Sequence, residues 1–274
     1  MHKLLFGTAG IPASTRKPST ESGIAQVRAL GLDCMELEFV HTVTISKEKA
    51  PLIKRVAQDN DVVLTCHGPY YINLNALEKQ KREASKQRMI SASRRAWECG
   101  AWSIAFHLGF YLGKDKATVY GTIKQELNEV TKVLHDEGVG ITLRAETTGK
   151  PTQFGDLDEL LHIAQETSVM PCIDFAHLHA RTNGKVNTYD EFTDVLTKVE
   201  VKLGKDGLRN MHIHLAGIAY SIKGERNHLN LKDSDMNYES ISKAWNDFGI
   251  AGTVICESPN SEEDALLLKK TYTG

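Results

Sequence analysis

The feature that most restricts what this chain can fold into is an alternation. Short apolar or β-branched runs, each followed by a longer polar-rich stretch with helical spacing, recur about eight times along 274 residues. The spacing predicts strands over 4–7, 34–39, 62–67, 103–107, 140–146, 170–174, 211–215 and 253–257. Helices are predicted over 21–30, 46–58, 77–98, 116–136, 157–166, 189–201, 237–247 and 261–271. Strands that alternate with helices pair in parallel through right-handed crossovers, and eight such units close into an α/β fold of the (β/α)8 TIM barrel type. An open doubly wound sheet is the alternative. Against it, Gly7-Thr8-Ala9-Gly10 after the first strand is a glycine-containing turn and not a dinucleotide-binding G-x-G-x-x-G. No Pro- or Ser-rich linker interrupts the pattern, so residues 1–274 are expected to form a single barrel domain.

Most of the predicted strands end at or beside a histidine or an acid. These are His67, His107, Glu146, Asp174, the pair His212 and His214, and Glu257. In a barrel such ends converge on the C-terminal face, where reacting groups gather. A lone histidine there is usually a hydrogen-bonded core or rim residue, and a lone acid is often a helix N-cap. Together they ask for more, because three buried carboxylates beside several imidazoles would cost several kcal/mol per uncompensated charge. A divalent cation cluster at the C-terminal face is the simplest resolution, with zinc or manganese suiting the mixed N/O donor set.

The other histidines sort by position. His2, His41, His135 and His162 are read as structural or solvated, and His179 as a rim residue. His177, three residues past Asp174, can still face the site. His212 and His214 share one face, but only His214, nearer the C-terminal end, is expected in the top layer. His228 falls in the polar stretch 223–228, read as a long loop over the barrel mouth. Cys66, Cys172 and Cys256 are taken as packing residues, and the basic run from Lys79 to Arg95 as the solvated face of a helix.

Composition removes several classes of function. A net charge of −2 gives no global footprint for nucleic acid, so any anionic partner must be drawn by a local site. Five cysteines, odd in number and without a C-x-x-C pair, indicate neither a disulfide framework nor a zinc knuckle. The N-terminal apolar run is too short for a signal peptide, and the longest uncharged stretch falls short of the roughly 20 residues a membrane helix needs. A cytoplasmic monomer with no membrane association is expected.

Taken in order, His67-Gly68-Pro69-Tyr70-Tyr71-Ile72-Asn73-Leu74, Phe106-His107-Leu108-Gly109, Ala145-Glu146-Thr147-Thr148-Gly149, Asp174-Phe175-Ala176-His177, His214-Leu215, His228-Leu229-Asn230-Leu231 and Cys256-Glu257-Ser258-Pro259 resemble the endonuclease IV family of apurinic/apyrimidinic endonucleases. That family lies within the xylose isomerase-like barrel superfamily. The resemblance spans essentially the whole chain. It implies a DNA repair hydrolase that cuts duplex DNA 5′ to an abasic site with two or three zinc ions, manganese being an option at some positions. It further implies that His67, His107 and Glu146 hold one zinc and that Glu146, as the catalytic bridge, shares a second with Asp174, His214 and Glu257. His177 and His228 would hold the third, and Tyr70 would contact the distorted DNA.

Two departures stand out. Where the family places an aspartate two residues before the last histidine, this chain has Arg226, which cannot ligate a cation but can hold a phosphate, and Glu225 is one residue off. His214 is followed by Leu215-Ala216-Gly217 where the family commonly has L-N-D. The competing reading is a sugar isomerase or epimerase of the same superfamily, for which Glu146, Asp174, His214 and Glu257 would hold one divalent metal. A third reading is a relative that binds nucleic acid or metal without catalysis.

Overall fold

The computed structural model describes residues 2–274, and it forms a closed parallel barrel. The strands in chain order are β1 (Leu4–Ala9), β2 (Cys34–Glu38), β3 (Val63–His67), β4 (Ser103–Phe106), β5 (Thr142–Glu146), β6 (Met170–Asp174), β7 (Met211–Leu215) and, after an excursion, β10 (Gly252–Cys256). β1 pairs with both β2 and β10, which closes the cylinder and leaves no free edge among the described barrel strands. The excursion is an antiparallel hairpin, β8 (Gly217–Ser221) and β9 (Gly224–Leu229), followed by a short 3-10 turn. Residues 223–228, expected as a loop, are therefore largely strand.

Among the described residues, nine helices pack outside the barrel: α1 (Thr20–Ala29), α2 (Ala50–Asp59), α3 (Lys79–Glu98), α4 (Lys116–Asp136), α5 (Leu157–Glu166), α6 (Phe175–Arg181), α7 (Tyr189–Leu208), α8 (Tyr238–Phe248) and α9 (Glu262–Thr273). Their starts follow local chemistry. Asp156 accepts from the Glu159 amide at 2.9 Å while Glu159 accepts from the Asp156 amide at 3.1 Å, a reciprocal cap that fixes the first turn of α5. α2 begins four residues later than its pattern suggests, with a proline in its first turn. α7 runs on to Leu208 past its expected end, but Gly204 breaks the helical conformation inside it, three residues beyond Val201. α6 is absent from the sequence pattern. Asp174 caps it directly from β6, accepting from the His177 amide at 2.8 Å, so no loop separates strand from helix.

The register turns alternate residues of every strand inward. Glu36 lies opposite Thr65, Glu38 opposite His67, and Asp174 opposite His214. β1 crosses β2 so closely that a Cβ on Gly7 would lie 1.7 Å from the Cys34 carbonyl oxygen. No side chain fits there. Gly7→Ala should therefore destabilise the fold by about 3 kcal/mol in urea denaturation, whereas Gly121→Ala, in open space on α4, should stabilise it by about 0.5–1 kcal/mol. Equal effects at the two positions would contradict this packing.

Candidate metal centre

The C-terminal strand ends bring the candidate residues to one place. His67, Glu146 and Asp174 end β3, β5 and β6, His107 and Glu257 directly follow β4 and β10, and His214 sits on β7. His177 lies in the first turn of α6 and His228 on β9. A cavity of about 320 Å³ opens among His67, His107, Glu146, His177, His228 and Glu257. Asp174 and His214 are fully buried and complete the cluster.

Of the five sets of donor atoms among the described residues that lie within 4.8 Å of one another, three gather at this face: His67 with His107 and Glu146; Glu146 with Asp174, His214 and Glu257; and Asp174 with His177 and His228. Glu146 belongs to two of them. Its Oε2 is 3.2 Å from His67 Nε2, while its Oε1 is 3.1 Å from His107 Nε2 and 3.3 Å from His214 Nδ1. His214 Nδ1 is also 3.4 Å from Glu257 Oε1. Donors bound at about 2.0–2.1 Å around a tetrahedral ion lie about 3.3–3.4 Å apart, so these separations are those of co-ligands. Backbone carbonyls set two of the rings: His67 Nδ1 meets the Gly68 oxygen at 2.8 Å and His177 Nδ1 the Thr147 oxygen at 3.0 Å. With a proton held on Nδ1, each ring presents the Nε2 lone pair.

The donor chemistry fits a cation. His107 Nε2, both Glu146 oxygens, Asp174 Oδ2 and His214 Nδ1 are buried without an aligned hydrogen-bond partner. Burial alone would raise the Glu146 carboxyl, but His107 and His214 hold it well below the usual carboxylate range. Burial likewise disfavours an imidazolium at His67, yet Glu146 outweighs it and the ring is pushed up to about 10. Without a metal, protons on the rings supply the positive charge that the carboxylates need. A divalent ion can replace them.

The hairpin changes the reading of Arg226 and Glu225. Ile218 faces His228, Ala219 faces Asn227, and Tyr220 faces Glu225, which leaves Arg226 as the extra residue of a β-bulge. Because Ile218 and Tyr220 share a face, so do His228 and Glu225. Glu225 Oε2 lies 3.4 Å from His177 Nε2, and a Cβ on Gly149 would come within 2.5 Å of that oxygen, so this approach needs glycine in the Thr148-Gly149 turn. Arg226 is exposed. Tyr70 is 53% exposed at the mouth with its ring centroid 5.2 Å from that of His67, and Tyr71 and Phe110 are exposed beside it.

Several residues differ from the sequence reading. His179, expected at the rim, is fully buried, with Nε2 3.1 Å from Asp235 Oδ1. Cys172 is fully buried, beside His212 and His214, and burial pushes its thiol up to about 12. Glu36 and Glu38, inside a predicted strand, are absent from the sequence-derived candidates. Glu36 is fully buried, 2.9 Å from both His212 Nε2 and His214 Nε2. Burial and the Glu36 charge push Glu38 up to about 8. A signal for them exists: two acids with period two in an otherwise apolar strand point to one face of the sheet. His2, His41, His135 and His162 are exposed, as expected. Part of the basic face of α3 pairs with α4, Arg82 and Lys86 with Glu126 and Arg94 with Glu137.

A profile of the xylose isomerase-like TIM barrel family matches residues 24–271, and the chain belongs to that family. An uncharacterised protein of Methanocaldococcus jannaschii is 44% identical over 269 residues, covering 98% of this chain and 97% of the relative. A probable endonuclease 4 of Ureaplasma urealyticum is 25% identical over 157 residues, covering 55% of this chain and 50% of that protein, so the match spans about half its length. Among solved structures, a D-tagatose 3-epimerase-like protein superposes with a TM-score of 0.72 at 16% identity, covering 97% of this chain and 96% of the other. Endonuclease IV from Thermus thermophilus superposes with a TM-score of 0.71 at 18% identity, covering 97% of each chain. At these identities the structures establish the shared fold. No helix among the described residues is long and apolar enough to cross a membrane.

Zinc or manganese added to chelator-stripped protein should raise its thermal midpoint. An ion that binds the folded chain alone adds about 2.7 kcal/mol at a hundred times its Kd. A midpoint unmoved by either ion would contradict the fit of these donors to a cation.

Proposed function

We propose that the chain is a metal-dependent phosphodiester hydrolase that cuts duplex DNA 5′ to abasic sites. In this reading His67, His107 and Glu146 hold one zinc, Glu146 also joins Asp174, His214 and Glu257 around a second, and His177 and His228 hold a third. Manganese is an alternative occupant. Glu225 stands in for the carboxylate missing at position 226, delivered to the His228 face by the bulge. The observation that carries the reading is the adjacency of three donor sets joined through Glu146 and Asp174.

Such ions, once bound, supply Lewis-acid charge for a phosphodiester oxygen, an attacking water and a leaving oxygen. The chain supplies the rest. Glu146 is the catalytic bridge, since its two oxygens face different histidines and fix the spacing of the sets. Tyr70 offers an aromatic face to DNA distorted at the lesion, and a nucleotide without its base is the easiest to extrude toward the cavity. In this reading Arg226, exposed on the bulge, takes a backbone phosphate in a bidentate contact. A local concentration of cations also explains how a chain of net charge −2 attracts DNA.

A sugar epimerase is the second reading, favoured by one observation: Glu146, Asp174, His214 and Glu257 form a complete single-metal set by themselves. It leaves His67, His107, His177 and His228 without a cation to hold. A labelled duplex carrying a tetrahydrofuran abasic analogue separates the two. Wild-type protein should incise it in the presence of zinc or manganese and stop on chelation, and Glu146→Gln should lose at least about a hundred-fold in rate with unchanged circular dichroism. No incision with any divalent ion, together with turnover of a ketose, would move the function to epimerisation.

A further inference from the structure

We propose that Glu36 is a positioning residue that fixes the ring proton of His214 on Nε2 and so presents Nδ1 as the metal-binding nitrogen. The inference rests on reading Glu146, Asp174, His214 and Glu257 as a metal set, and it holds whichever substrate that set serves. Glu36 lies in β2, on the far side of His214 from that set. Its Oε1 is 2.9 Å from His214 Nε2 and its Oε2 is 2.9 Å from His212 Nε2, and the two ring nitrogens are 3.3 Å apart. All three side chains are fully buried.

With Glu36 ionised, one arrangement of ring protons leaves His214 Nδ1 free for a metal. An ionised carboxylate only accepts, so each Nε2 facing Glu36 carries a hydrogen. His212 Nδ1 then has a lone pair, and Ser103 Oγ, 3.0 Å away, donates to it. His214 Nδ1 also has a lone pair, but it faces Glu146 Oε1 at 3.3 Å and Glu257 Oε1 at 3.4 Å, which are acceptors too. In the metal-free chain a second ring proton can fill that space, and a metal cation takes its place. The rival arrangement, an inner cation between Glu36 and the two rings, requires bare Nε2 atoms; the Glu36 oxygens have no aligned hydrogen-bond partner, but the contacts at 2.9 Å are shorter than the separation of about 3.3–3.4 Å between co-ligands of a tetrahedral ion. A carboxylate behind a ligating histidine sets its tautomer and raises its basicity, and losing it typically weakens metal binding by about 10–100-fold.

The test combines long-range ¹H–¹⁵N histidine spectra of the zinc-loaded protein with zinc affinities from chelator competition. Wild-type His214 should be protonated at Nε2 with Nδ1 bound to metal. In Glu36→Gln, the amide can satisfy only one ring in that form, so zinc affinity should fall about 10–100-fold, with Glu36→Asp recovering part of the loss. The wild-type spectrum decides the matter even if the variants fold poorly. A His214 protonated at Nδ1, metal on its Nε2, or a Glu36→Gln variant with wild-type affinity and tautomer would overturn the inference while leaving the metal centre intact. A wild-type protein that binds no zinc would remove the metal-set reading and this inference with it.

Discussion

The buried carboxylate of Glu146 is the constraint on which the rest of this centre depends. A charge at the end of a barrel strand, almost without water, is tolerable only when positive charge meets it on every side. His67 meets one oxygen, and His107, His177 and His214 converge on the other. His67, Glu146 and His214 come from three different strands, His107 from just beyond β4 and His177 from the first turn of α6, so the electrostatics need the closed barrel. The core in turn accepts Asp174 and Glu36 only because histidines lie against both. Removing the rings would leave several uncompensated charges in the interior.

Much of this is legible in the chain. Periodicity alone implies the barrel, and the general rule that strand ends converge on one face turns separate histidines and acids into a cluster. What escapes a reading of the sequence does so for physical reasons. Glu36 and Glu38 look like interruptions of an apolar strand, because parity along one strand has no meaning until the neighbouring strands fix which face is inward. α6 follows β6 without a loop, and Asp174 serves two ends at once, capping the helix through Oδ1 while Oδ2 faces His177. A seven-residue helix without a preceding turn leaves little periodic signal.

The hairpin is the hardest part to read. Gly224–Leu229 has the polarity of a loop because one face of β9 meets solvent and the other meets charged groups. Its bulge cannot be seen in residue order, since adding one residue reverses the facing of everything before it. That single insertion leaves Arg226 exposed and turns Glu225 toward His177. Gly149 is the complementary adaptation, being the residue whose missing side chain makes room for Glu225.

The fold is shared with an epimerase-like protein and with an endonuclease alike, so the choice between the two proposed readings lies in the side chains that surround Glu146. Counting metal is the most direct test of the account. Protein purified without chelator should carry two or three zinc or manganese ions per chain by elemental mass spectrometry, because the donor sets sharing Glu146 and Asp174 are distinct. One ion per chain, unchanged when excess metal is supplied, would contradict the multinuclear centre and the hydrolytic function built on it.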